Sequence, residues 1–366
     1  MRTAVVHDWL TGMRGGERVL EALLPLVPEP TIFTLFHSPG SVSAAIESRP
    51  IRTSALDRLP FARSHYRNFL PFFPGAVERF DLSGFDLVVS SSHCVAKGAI
   101  APAGVPHLCY CHTPVRYAYE QFDAYFPRDR TRFFAVKRRL VERLREWDQK
   151  TAGRPTAYLA NSSAVAARIR RHYGREAEVC HPPVDLEFFS PSDEPRRDFL
   201  LAVGALVPYK RLELAIEAAE LARAPLVVVG RGPEGERLRR RAGRSVRWAG
   251  EVAREELRQL YRTCRFFVQP GEEDFGIAAA EAVACGAPVA ALARGGVLDI
   301  VRDGAEGVLY DEESAGGLAR ALERGESLRF PVEEMRRSAE RFSIPRFRDC
   351  FGRAVEQLMR GQSIRR

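Results

Sequence analysis

The sequence predicts an α/β protein built from two doubly wound parallel sheets, one in each half of the chain. Three observations lead there. At 366 residues the chain exceeds the usual single-domain size. In both halves short apolar runs alternate with helix-length amphipathic segments, the pattern of parallel strands joined by crossover helices. Between the halves lies a turn-rich stretch, His181-Pro182-Pro183-Val184-Asp185 through Ser190-Pro191-Ser192-Asp193-Glu194-Pro195, which reads as a hinge. The expected division is 1–186, 187–345, and a C-terminal helical segment 346–366 that returns to the first domain.

The first half opens with a buried strand, Thr3 to His7, then a loop from Asp8 to Gly16. A helix from Glu17 follows, with Val19, Leu20, Leu23 and Leu24 on one face. Phe85–Ser90 and Leu108–Cys111 are further strand candidates. Arg132–Lys150 reads as an amphipathic helix with Phe133, Val136, Leu140, Leu144 and Trp147 on its apolar face. Ala157–Ala160 is a short strand running into Asn161-Ser162-Ser163, where a helix cap is expected. In the second half Phe199–Gly204, Leu226–Gly230, Arg247–Gly250, Phe266–Gln269 and Pro288–Leu292 read as strands, with a helix over Arg211–Ala222. Another helix runs from Ala278 to Cys285 and stops at Gly286, with Pro288 just beyond.

Composition narrows the function. A hydrophobic fraction of 45% and 28% charged residues is ordinary soluble globular composition. No apolar run approaches the roughly 18 residues needed to span a bilayer. The N-terminus enters a strand directly, without a secretory apolar region, so a cytoplasmic location is expected. Seven cysteines without framework spacing suit a reducing compartment. Cys109 and Cys111 lie inside an apolar strand pattern, which makes a poor metal site, and no metal is expected. A formal charge of +8 asks for an anionic partner. No helix-turn-helix, zinc-finger or RNP-type string is present, so nucleic acid is not expected.

The strongest chemical signal is Glu273-Asp274-Phe275-Gly276-Ile277-Ala278-Ala279-Ala280-Glu281. Glu273 falls on the loop after a strand and Glu281 about one turn into the next helix. Ligands of open α/β sheets bind at that end of the strands. The amides of Gly276 and Ile277 open the helix and suit phosphate. Two acceptor-only carboxylates on either side suit sugar hydroxyls. Gly12, Gly15 and Gly16 crowd the first strand-to-helix turn, but without the Gly-x-Gly-x-x-Gly spacing of a nicotinamide site. His112, in Tyr110-Cys111-His112-Thr113-Pro114-Val115-Arg116, ends an apolar strand. His7, His93 and His181 lack comparable context and read as structural. Lys210 and Arg211 sit at another strand-to-helix turn, where two cations make a diphosphate clamp, each worth about 1–3 kcal/mol. Gly230-Arg231-Gly232-Pro233 and Arg294-Gly295-Gly296-Val297 are further glycine turns.

The Glu273–Glu281 stretch resembles the Glu-x7-Glu signature of retaining glycosyltransferases of family 4, whose GT-B fold sets two Rossmann-like domains facing across a cleft. The resemblance runs in order from the first strand to about residue 345. It implies that Gly15 and Gly16 lie against donor phosphates and acceptor, and that His112 contacts the donor sugar near the reacting carbon. It implies that Glu281 holds the ribose while Glu273 positions the donor sugar and steadies its positive charge. Lys210, Arg211, Gly276 and Ile277 would stabilise the departing diphosphate. Arg116, Arg231, Gly295 and Gly296 are further candidates for donor or acceptor contacts. One departure stands out: Ala205 occupies a position where the family commonly has arginine.

The implied reaction is retaining, metal-independent hexosyl transfer from a nucleotide sugar, with no cofactor, to a glycan or lipid-linked acceptor. The Val207–Lys210 and Glu273–Ile277 strings look most like mannosyltransferases using GDP-mannose in polysaccharide assembly. A sugar-nucleotide epimerase, a non-catalytic sugar-nucleotide binder and a two-carboxylate hydrolase are the rivals. Docking at the inner face of the cytoplasmic membrane is also expected. Phe126–Arg154 carries ten Lys or Arg and four Asp or Glu, and Arg58, Arg63 and Arg67 flank the aromatic run Phe69–Pro74.

Overall fold

The computed structural model describes residues 1–120, 122 and 132–362. The chain divides into two units. The first comprises Met1–Pro183 with Phe347–Arg366, the second Val184–Arg346. The division therefore falls three residues before the sequence-based one.

The first unit carries a seven-stranded parallel sheet: β1 (Thr3–His7), β2 (Pro30–Thr34), β3 (Ile51–Thr53), β4 (Leu87–Ser92), β5 (His107–Cys111), β6 (Ala157–Ala160) and β7 (Glu178–Val179). Their order is β3-β2-β1-β4-β5-β6-β7. The chain builds outward from β1 to β3, then crosses to the other side of β1 to lay down β4. The carboxyl ends of β1 and β4 therefore flank a topological switch point, the ligand position of an open α/β sheet. Both strands are buried along their whole length, as expected of a parallel sheet covered on both faces. One face packs against α1 (Gly15–Leu23) and the C-terminal helix, through Val19, Leu20, Leu23, Phe347 and Phe351. The other packs under Phe36, Phe73, Val95 and α2 (Arg132–Lys150), through Val141 and Leu144.

α2 spans the expected residues, but its buried face is turned. Val136, expected in the core, is exposed, whereas Val141 and Asp148 are buried. Asp148 takes Lys97 Nζ at 3.0 Å on one oxygen, and the Tyr119 and Tyr173 hydroxyls at 2.7 and 2.8 Å on the other. Residues 126–131 of the basic stretch and the Phe133 side chain lie outside the described residues. Of the aromatic pair beyond Pro71, Phe72 is exposed and Phe73 buried. Ser162 caps α3 (Ser163–Tyr173) by accepting from Val165 N.

The second unit carries six parallel strands: β8 (Leu200–Val203), β9 (Leu226–Val229), β10 (Val246–Gly250), β11 (Phe266–Gln269), β12 (Val289–Leu292) and β13 (Gly307–Tyr310). Their order is β10-β9-β8-β11-β12-β13. The construction logic repeats, with the switch point between β8 and β11. Helices α4 (Leu212–Leu221) and α5 (Ile277–Ala284) follow β8 and β11. No helix among the described residues is long and apolar enough to cross a membrane.

Candidate active site

In the second unit the loops after β8, β9, β11 and β12 pack backbone to backbone, and glycine permits it. A Cβ on Gly230, where φ is +128°, would lie 2.0 Å from the Gly204 carbonyl oxygen; one on Gly296 would lie 2.2 Å from that of Asp274. Real Cβ atoms do not approach so closely. The Gly296 amide donates to the Glu273 carbonyl at 2.9 Å, and Glu273 bridges Gly295. The glycine turn after β12 thus holds the Glu273 loop in place, and the turn after β9 holds the loop that leads to Lys210.

Lys210 and Glu273, 63 residues apart, meet at the β8–β11 switch point. Lys210 Nζ donates to Glu273 Oε1 at 2.8 Å, with the side chains 13% and 19% exposed. Gly204, at φ +143°, makes this contact possible, because a Cβ there would fall 2.3 Å from the ammonium nitrogen. An ammonium, a carboxylate and the N-terminus of α5 thus converge. Gly276 is the α5 cap, at φ +99°, with Ile277 the first helical residue. The leading N–H groups of a helix have no partner within it and attract anions.

Arg211 is turned elsewhere. It caps α4 in the left-handed region, φ +50°, and its guanidinium donates to Glu213 at 2.8 Å and Glu313 at 2.6 Å. Arg294 reaches the other Glu313 oxygen at 3.2 Å. Glu281 is only 4% exposed, and its Oε2 accepts from the buried Tyr261 hydroxyl at 3.0 Å. Arg231 is exposed on the loop after β9, where its carbonyl accepts from Leu206 N. Gln269, the last residue of β11, is buried with neither amide atom hydrogen-bonded, and a Cβ on Gly276 would lie 2.9 Å from its Oε1.

The first unit assembles a second constellation at its own switch point. His7 ends β1, and its register partner on β4 is Ser91. Ser91 Oγ lies 3.1 Å from His7 Nδ1 and 2.8 Å from His112 Nε2, so one buried hydroxyl joins two imidazoles. His7 Nε2 faces Glu17 Oε1 at 3.8 Å. Gly16 lies against both rings, since a Cβ there would meet His7 at 3.7 Å and His112 at 3.9 Å. Gly15 opens α1, and Arg116 opens the short helix that follows His112. Beside them the Asp8 carboxylate accepts four backbone N–H groups, from His93 to Ala96, at 2.7–2.9 Å and pairs with His93 Nδ1 at 3.2 Å.

Burial pushes His112 well below the usual histidine range, reinforced by the nearby His93 and His7. Burial also lowers His93, against the pull of Asp8. Burial would raise Glu17, but its contact with His7 holds it below the ordinary glutamate value. At neutral pH burial leaves the His93 and His112 rings uncharged beside the Glu17 carboxylate. His7 and His93, which read as structural in the sequence, thus join this constellation, and Ser91 carries no local motif. The signal available was positional: His7 and Ser91 close adjacent strands at the switch point.

Two family models match the chain. One, described as Glycosyl transferases group 1, matches residues 185–342. The other, described as Glycosyltransferase Family 4, matches residues 17–188. A D-inositol 3-phosphate glycosyltransferase of Streptomyces bingchenggensis is 31% identical over 211 residues, covering 48% of this chain and 46% of that protein. One from Kribbella flavida is 34% identical over 197 residues, covering 45% of this chain and 46% of that protein. The chain spans about half the length of the curated relatives it matches. Among solved structures, HepE of Anabaena in complex with UDP-glucose superposes with a TM-score of 0.72 at 16% identity, covering 98% of this chain and all of that one. Sucrose-phosphate synthase of Thermosynechococcus elongatus gives 0.74 at 19%, covering 99% of this chain and 100% of that one. At these identities the likeness concerns the fold, which is GT-B.

Proposed function

The chain belongs to the group 1 glycosyltransferases of family 4, and from that premise we propose that it transfers a hexose, with retention, from a nucleotide sugar to a glycan or lipid-linked acceptor. The observation that carries this reading is the 2.8 Å contact between Lys210 and Glu273 at the β8–β11 switch point, beside the α5 N-terminus. An ammonium group suits a leaving diphosphate. A carboxylate suits sugar hydroxyls and the positive charge that develops as the glycosidic bond breaks. Glycine-packed loops hold both groups in place before the reaction, which is what electrostatic stabilisation requires.

In this reading the second unit holds the donor. Glu281 supports the ribose, while Gly276 and Ile277 face the diphosphate. Protein cations do the work a divalent ion does elsewhere, so activity should survive EDTA. Loss on chelation, with recovery on adding magnesium or manganese, would remove this part of the reading. The Val207–Lys210 and Glu273–Ile277 strings favour GDP-mannose as donor and polysaccharide or glycolipid assembly as the setting. The first unit is assigned the acceptor, reached by peripheral docking on an anionic cytoplasmic membrane face. Arg138 and Arg139 are exposed on α2, and sedimentation with anionic liposomes tests their part. Retention on charge reversal of both would argue against that surface.

The deciding experiment is a panel of GDP- and UDP-sugars monitored for nucleoside diphosphate release, with and without lipid-linked acceptors. Release from GDP-mannose that accelerates with acceptor, giving a product of unchanged anomeric configuration, is expected. Release from UDP-sugars alone would refute the mannose assignment. No release from any donor would refute the transferase assignment.

A further inference from the structure

We propose that Ser91 and His7 are positioning residues that set the tautomer of His112, so that its Nδ1 is presented as a hydrogen-bond acceptor to a sugar hydroxyl. This rests on the transferase reading for the identity of the hydroxyl, but the hydrogen-bond polarity follows from the buried groups themselves. Glu17 is buried and accepts from the Arg14 amide at 3.0 Å, as a carboxylate does. Its other oxygen faces His7 Nε2 at 3.8 Å. A ring lone pair aimed at a buried carboxylate is repelled, so Nε2 carries the proton. The proposal takes His7 with a single ring proton, which leaves Nδ1 as the acceptor.

The remaining steps follow from counting protons. Ser91 has one hydroxyl proton and accepting lone pairs. It donates to His7 Nδ1 across 3.1 Å, which leaves its oxygen to accept across the 2.8 Å contact with His112. His112 Nε2 therefore carries the ring proton, and Nδ1 keeps its lone pair. The neighbouring charged groups do not compete for this chain. Asp8 is committed to four backbone amides and to His93, on a separate branch. His7 and Ser91 are fully buried, away from bulk water. The arrangement resembles in logic a metal-ligating histidine whose second nitrogen is fixed by a partner, with the free nitrogen here offered to substrate.

Long-range proton–nitrogen correlation spectra of the full chain, labelled with nitrogen-15 at histidine and assigned with His112→Gln, read the tautomer directly. The wild-type His112 ring is expected as Nε2–H at pH 7.5. Ser91→Ala should mix the two tautomers and lower kcat about tenfold with donor KM little changed, while Ser91→Thr, which keeps the hydroxyl, should restore both. An Nδ1–H ring in the wild type would overturn the proposal without any variant. So would a Ser91→Ala protein with an unchanged His112 spectrum, or one with mixed tautomers and full turnover. The spectrum needs no donor. An Nε2–H ring in a protein inactive with every nucleotide sugar would uphold the relay and sink the transferase reading instead.

Discussion

The two units share one construction, a parallel sheet that grows to one side and then crosses over, yet their switch points are chemically opposite. Between β8 and β11 stands a charged pair, Lys210 and Glu273, on loops locked by glycine contacts. Between β1 and β4 stand two imidazoles joined by a serine hydroxyl. All eight histidines of the chain fall in the first unit, the last being His181, and none in the second. A common fold therefore fixes where chemistry occurs without fixing which chemistry. The second switch point suits a highly charged ligand part, the first a neutral polyhydroxyl one.

The comparison breaks most easily at the charged site. Glu273→Ala should lower kcat about 100- to 1,000-fold, the usual cost of one electrostatic contact made in the transition state, with a smaller change in donor KM. Glu281→Ala should instead act mainly on donor affinity. Full turnover in Glu273→Ala would remove the charged switch point from the reaction.

Acid should separate the units next. His93 and His112 have folded-state values below the ordinary histidine value, and burial brings His107 down to about 3. At each, the unfolded chain binds the proton more readily, so their contribution is intact above about pH 6.5 and is lost as pH falls toward the folded values. The shifted groups of the second unit that act in the acid range are carboxylates, Asp303, Glu306 and Glu312, held low chiefly by hydrogen bonds from Arg324, Arg302 and Ser314, although burial opposes this at Glu306. Their contribution is lost only below the ordinary carboxylate range. Hydrogen exchange across pH 7 to 4 should show the first unit opening earlier. Simultaneous opening would mean that the buried histidines do not govern the difference.

The smallest effect concerns Arg211. Because Glu213 and Glu313 already neutralise it, Arg211→Ala should weaken donor binding by less than about tenfold. A larger loss, measured by calorimetry, would show that the guanidinium leaves Glu313 for the diphosphate and takes the place of the arginine absent at Ala205.

How much of this could be read from residues alone depends on the distance over which each feature is determined. Strands such as Thr3–His7 and Phe266–Gln269, and the Ser162 cap, are local and were legible. β2 begins at Pro30 within Val27-Pro28-Glu29-Pro30, which reads as a breaker. β3 and β7, of three and two residues, are edge strands whose pairing comes from their neighbours. The motifs around Glu273, Lys210 and His112 were legible because glycine and proline punctuate them. Their pairings were not: Glu313 reaches Arg211 over 102 residues and Ser91 reaches His7 over 84. Sheet order brings the second pair together, and no local pattern encodes it.

In the proposed function the donor's nucleotide occupies the second unit's switch point. Hydrogen–deuterium exchange of the full chain with saturating GDP, with UDP as a parallel sample, tests this directly. Protection is expected in segments 204–211, 273–281 and 294–296. Protection confined to 8–17, 91–96 and 112–116, with those three segments unchanged under both nucleotides, would contradict it.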